Sequence, residues 1–190
     1  MEIQNNVLIN DLLRRVEECT RKAKRFETFK IEHLRFKEDG RWSILECLEH
    51  LNLYGDFYLV EIEKRILQNQ HRHAATFKSG LLGNYFAKLM EVKKDGKITK
   101  MKSPKDKNPE NTSLSVTTIS RFLKQQDQLI SLLHQCRTLD LTKIKTGISL
   151  TNLIQLRLGD TLRFYTYHVE RHVLQANDVA EKLQKRVVSP

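Results

Sequence analysis

Two histidines one helical turn apart, His168 and His172, stand in the run Phe164-Tyr165-Thr166-Tyr167-His168-Val169-Glu170-Arg171-His172. A third, His50, lies far away in Trp42-Ser43-Ile44-Leu45-Glu46-Cys47-Leu48-Glu49-His50-Leu51. Side chains four apart on a helix share a face. Two imidazoles from one helix and one from a facing helix can therefore make a three-nitrogen metal site with at least one position open. Structural zinc usually takes four protein ligands, whereas catalytic zinc keeps three and a water. Imidazole suits zinc, nickel, copper and iron; zinc and nickel are the first choices, and ligand type does not separate them. Water at such a site can drop to a pKa of roughly 7 and become a nucleophile. The competing reading is three core histidines whose ring nitrogens find protein partners. Spacing alone does not decide, because nothing local shows that the two helices touch.

Two neighbouring motifs fail on geometry. His168-Val169-Glu170-Arg171-His172 puts its glutamate third, where the metalloprotease base belongs second. Glu170 falls about 200° around the helix from His168 and points away. No Glu-x-x-His pair of the di-iron kind is present. A mononuclear site is the better expectation.

The elements that must position these histidines follow from periodicity. Seven glycines and three prolines in 190 residues favour long helices. Apolar residues at three- and four-residue steps predict a first helix over about 4–32, carrying Val7, Leu8, Leu12, Val16, Cys19, Ala23 and Phe26. Asp39-Gly40 breaks the pattern. A second helix over about 42–69 places His50 in line with Cys47, Tyr54 and Phe57; Ser43 and Glu46 form a capping box, with Trp42 just outside it. Residues 70–113 read as irregular, with a turn at Gly80-Leu81-Leu82-Gly83-Asn84 and a short helix from Tyr85 to Val92. A third helix covers about 115–137, and 138–150 is a connector. The fourth helix begins between Thr151 and Asp160 and ends near Leu183. Its inward stripe is Thr161, Phe164, Tyr165, His168, His172, Gln175, Ala176, Val179 and Leu183. Strand-like alternation is nearly absent. The expected architecture is all-α: a single domain over 1–190, a four-helix bundle with a long crossover between the second and third helices.

Composition bounds the rest. A chain this long buries roughly 70% of its unfolded surface, so it needs no staple in order to fold. Cys19, Cys47 and Cys136 are odd in number, with no C-x-x-C, which fits reduced thiols in a cytoplasmic protein. No signal peptide or membrane span is expected. The formal charge of +10, from 33 basic and 23 acidic residues, attracts anions of many kinds. Seven lysines, Lys93, Lys94, Lys97, Lys100, Lys102, Lys105 and Lys107, crowd the crossover. They could contact phosphates of a nucleic acid. The stretch lacks aromatics for base stacking and arginines for base reading, so a solvated loop, or one gathering an anionic small substrate, is the better expectation. Cys47 reads as a small core residue rather than a fourth ligand, and Tyr54 and Tyr165 as core aromatics. His33, His71, His73 and His134 are assigned no role, and Lys185 to Pro190 are expected to fray.

Trp42-Ser43, then Leu48-Glu49-His50-Leu51, then Arg163-Phe164 with His168-x-x-x-His172, resemble in order and spacing the DinB-like superfamily of metal-binding four-helix bundles. Met101-Lys102-Ser103-Pro104 resembles a loop segment of some members. The resemblance covers most of the chain. It implies a bundle with a crossover, one divalent metal on His50, His168 and His172, and frequent homodimers. Characterised relatives include thiol-dependent enzymes, namely mycothiol-dependent maleylpyruvate isomerase and bacillithiol transferases, so a low-molecular-weight thiol is an implied cofactor. The expected function is that of a metal-dependent enzyme acting on a small electrophile by thiol transfer or hydrolysis. The alternatives are a non-catalytic metal- or anion-binding module, or a nucleic-acid binder using the lysine-rich loop.

Overall fold

The helix that carries His50 is started by its own first residues. Ser43 is its N-cap: the hydroxyl accepts from Glu46 N at 3.1 Å, and the Glu46 carboxylate accepts from Ser43 N at 2.8 Å. This reciprocal pair satisfies two backbone donors that a helix end leaves without partners. Gly40, three residues upstream, has φ +69°, a left-handed conformation that glycine adopts without strain. The computed structural model describes residues 1–38, 40–69, 74–93, 102–110 and 112–188. Asp39, His71, His73, Lys94, Lys97, Lys100, Met101, Asn111, Ser189 and Pro190 lie outside the described residues.

The elements are β1 (Glu2–Gln4), α1 (Asn5–Lys24), α2 (Ile31–Arg35), α3 (Ile44–Gln68), β2 (Thr76–Lys78), α4 (Leu81–Met90), α5 (Thr117–Cys136), β3 (Lys145–Ile148), β4 (Thr151–Arg157) and α6 (Leu158–Val188). Single 3-10 turns stand at Arg25–Thr28 and Lys105–Lys107. The protein is mostly helical. Its four long helices touch in cyclic order, α1 on α5, α5 on α3, α3 on α6 and α6 on α1, while α4 covers a further side of α6. One continuous apolar core runs through all of them, with Leu12, Val16, Leu48, Ile62, Phe122, Leu133, Val169 and Val173 among its buried members. Among the described residues no helix is long and apolar enough to cross a membrane.

The structure departs from the periodicity reading in several places. The first helix ends at Lys24 rather than near 32. The chain tightens into a 3-10 turn that drives Phe26 into the core, then turns again into α2, which buries Leu34. Spacing puts Val7 on the apolar stripe, but it is 55% exposed; Ile9 and Leu13 take the inward positions. Gly80-Asn84 is not a free-standing turn, since α4 begins at Leu81 and ends at Met90. Gly83 is required inside that helix because a Cβ there would strike the Asp160 carboxylate. The helical span of α6 reaches Val188, beyond the expected frayed start at Lys185.

Strands are also present. β1 pairs antiparallel with β2, Ile3 opposite Phe77. β3 and β4 form a hairpin with a register shift between Gly147 and Ile148, and it replaces the expected connector. Hydrogen bonds hold this hairpin on α3. Glu61 accepts from Gly147 N at 2.7 Å, and the Tyr58 hydroxyl accepts from Ser149 N at 3.4 Å.

A buried charged cluster fixes the start of α6. Asp160 and Arg163, at 0% and 3% exposure, face the Ser79-Gly80 turn and α4. Asp160 accepts from Gly80 N at 2.8 Å and from the Ser79 hydroxyl, and Arg163 donates to Ser79 Oγ and Asn84 Oδ1 at 3.2 Å each. The register of α6, and hence the depth of His168 and His172, rests on this anchor about one to three turns earlier.

Candidate metal centre

The three imidazoles meet. His50 from α3 and His168 and His172 from α6 are buried, and one ring nitrogen of each lies within 4.8 Å of the others. Their ring centroids stand 4.6–5.0 Å apart. The helix stripes predicted from spacing are thus the faces that pack against each other. Glu170 points elsewhere, as its position on the helix requires, and takes Arg15 of α1 at 2.6 Å.

Aromatic rings close the surroundings. Trp42, just before the cap of α3, lies 4.7 Å from the His50 ring and 5.7 Å from that of His172. Tyr54, one turn after His50, lies 4.4 Å from His168, and Phe164 stacks on His168 at 6.0 Å. Burial holds His50 down at about 4, with the nearby Arg171 charge adding to the effect and the Lys107 carbonyl opposing it. Burial also holds His168 and His172 well below the ordinary imidazole range; the neighbouring imidazoles and Arg171 contribute. All three rings are therefore neutral at pH 7, the form that binds metal.

The ring nitrogens are not equally occupied. His50 Nδ1 donates to the Lys107 carbonyl at 2.7 Å, and His172 Nδ1 donates to Gln175 Oε1 at 3.1 Å. His50 Nε2 faces His168 Nε2 at 3.1 Å, while His168 Nδ1 is buried without a partner. In a tetrahedral site with metal–nitrogen bonds of 2.0–2.1 Å, ligand nitrogens are separated by about 3.3 Å. The two facing nitrogens are close to that edge. Second bonds from metal-ligating histidines to carbonyl groups are the usual way such rings are oriented. The donor set therefore fits a small divalent ion.

Cys47 is not part of this group. It is fully buried in the core, and burial pushes its thiol up, so it stays protonated. Tyr54 keeps its proton at neutral pH, burial having raised it to about 12. Tyr165 is fully buried and stacks on Tyr58 of α3, as a core aromatic does. A cleft of about 340 Å³ opens at the foot of α3, lined by Arg35, Lys37, Ser43, Glu46 and residues 112–114; it does not include the histidines.

The resemblance marks the segment around Ser103, but nothing in the spacing brings it to His50. Ser103 Oγ approaches His50 Nδ1 at 3.5 Å, and Lys107 gives it a carbonyl. Part of the lysine-rich stretch is thus a strap over α3. Its key contact is a backbone oxygen, which no residue type announces. Spacing puts Gln175 on the inward stripe without a role, and neither the capping box nor the Trp42-Ser43 motif places Trp42 against the imidazoles.

Acidification should test the buried neutral state. In the unfolded chain a histidine titrates near 6.5, and folded His50 titrates near 4, so below pH 6.5 the unfolded state takes up the proton first. Full stability is present above 6.5 and is lost progressively as pH falls towards 4. For His50 alone the loss from pH 7 to 5 is of order 2 kcal/mol. Urea unfolding of chelator-treated protein checks this; equal midpoints at pH 7 and 5 would contradict it.

Comparison with curated proteins and with solved structures returned no match. A family model described as the DinB superfamily matches residues 12–176, a span that starts within α1 and takes in all three histidines. That match covers most of the chain, and on it this protein belongs to the DinB superfamily.

Proposed function

We propose that this protein is a metal-dependent enzyme with a mononuclear centre on His50, His168 and His172, acting on a small electrophilic molecule by thiol transfer or hydrolysis. The observation that carries this reading is a donor set that stops at three neutral imidazoles among the described residues. Three protein ligands leave a position for a reactant, the pattern of catalytic rather than structural zinc. A bound divalent ion would supply Lewis-acid polarisation and ease the deprotonation of a thiol or water that reaches it. Zinc or nickel suits the ligand set.

The chain's own groups have separate parts. The three imidazoles bring no negative charge, so the centre favours an anionic reactant such as a low-molecular-weight thiolate. Lys105 and Lys107 on the strap, with Arg171 beside His172, add cationic character around it. Trp42 and Phe164 pack against the rings and fix their orientation. Tyr54 remains a hydroxyl donor at neutral pH. In the same reading the four long helices form a single-domain bundle with its crossover between α3 and α5, and the protein works as a cytoplasmic homodimer.

Protein loaded with zinc or nickel should be assayed with a thiol plus an electrophile, and separately with simple esters and amides. Turnover in one panel, lost in His168→Ala, is the expected result and tells transfer from hydrolysis. Saturated metal with no turnover in either would favour a non-catalytic binding module.

A further inference from the structure

We propose that the centre divides its histidines into two preset ligands and one that must change tautomer: the Lys107 carbonyl and Gln175 hold His50 and His172 with Nε2 free, while His168 carries its proton on Nε2 until a metal arrives. This rests on the three-histidine reading above. It assigns Gln175 and the Lys107 strap as positioning groups.

A backbone carbonyl can only accept a hydrogen bond, so the 2.7 Å contact to Lys107 puts the His50 proton on Nδ1. His50 Nε2 is then a lone pair. It faces His168 Nε2 at 3.1 Å, and two lone pairs at that distance repel, so the proton between them belongs to His168. A neutral imidazole has one N–H. His168 Nδ1 is left bare, and it is the buried ring nitrogen without a partner. His172 Nδ1 donates to Gln175 Oε1 at 3.1 Å, which leaves its Nε2 free as well.

Ligation through Nε2 asks nothing of His50 or His172. His168 must release its Nε2 proton to solvent and take one from solvent on Nδ1, with no net proton change. The Lys107 carbonyl is held in place by its own 3-10 turn, Lys107 N donating to Pro104 O at 3.0 Å. Gln175 lies one turn beyond His172 on the same helix, so its amide reaches that ring without help from another element.

The full chain, labelled with nitrogen-15 in its histidines and stripped by chelator, should be examined by long-range proton–nitrogen spectroscopy before and after one equivalent of zinc. Without zinc, His50 and His172 are expected as Nδ1–H and His168 as Nε2–H; with zinc, all three become Nδ1–H. His168 found as Nδ1–H before zinc, or His50 as Nε2–H, would overturn the proposal. Gln175→Leu should weaken zinc affinity about 10- to 100-fold and free the His172 tautomer, while Gln175→Glu restores both. Wild-type affinity in Gln175→Leu would remove Gln175 from the positioning role. A protein that takes up no zinc would sink the metal reading, and the zinc-free spectrum would still decide the tautomers on its own.

Discussion

Replacing His168 with alanine is expected to weaken divalent-metal affinity by at least about 100-fold, because losing a ligand costs no less than the 10- to 100-fold typical of losing a group that orients one. In the proposed centre His168 meets both other imidazoles: its Nε2 faces that of His50, and Tyr54 and Phe164 pack on its ring. The effect should appear as a loss of linkage rather than of folding. With metal at 1,000 times its Kd, binding adds about 4 kcal/mol to wild-type stability, and a 100-fold weaker site adds about 1.4 kcal/mol at the same concentration. Thermal unfolding of both proteins with chelator and with excess zinc measures the difference. An unchanged zinc-induced shift in His168→Ala would mean that the ion binds elsewhere.

The second large effect is predicted far from the imidazoles. Asp160→Ala should destabilise the fold by about 3–5 kcal/mol, since it strips the partner from a buried guanidinium. For a chain of this size that corresponds to a Tm lower by roughly 6–20 °C. Arg163 would be left inside with Ser79 and Asn84 as its polar contacts, and the Ser79-Gly80 turn would lose its acceptor. Removing the guanidinium as well, in Asp160→Asn with Arg163→Met, should recover part of the loss, because a buried pair replaced by uncharged groups leaves no lone charge. A single Asp160→Asn variant within about 1 kcal/mol of wild type would show that this cluster does not anchor α6.

These two sites differ in how far the sequence announced them. The histidine faces were legible because helical spacing is local: Cys47, His50 and Tyr54 share one line, His168 and His172 another, and each line continues into apolar residues that need a core. The capping box of α3 was legible for the same reason. Whether α3 and α6 touch is a long-range fact, and no local pattern contains it. Helical spacing gives Asp160 and Arg163 no place in the core; they are buried because α4 and the turn before it fold over them.

The strands were hidden by their shortness and their partners. β1 has three residues and pairs with β2 more than seventy positions away. β3 and β4 are broken by a register shift, and β4 alternates a 93% exposed Leu153 with a 4% exposed Leu156 over too few residues to stand out. The first helix is overextended by spacing because Phe26 continues an apolar pattern that the backbone satisfies with a 3-10 turn, after which a second short helix buries Leu34. The Lys107 contact could not be read at all, since every residue has a carbonyl.

The central claim is that three buried imidazoles hold one ion. Elemental analysis after equilibration with zinc or nickel, followed by removal of loosely bound metal, tests it directly. The account predicts about one ion per chain for the wild type, and almost none for a folded variant with His50, His168 and His172 all replaced. A folded wild-type protein that emerges free of metal, or a triple variant that retains a full ion, would contradict it.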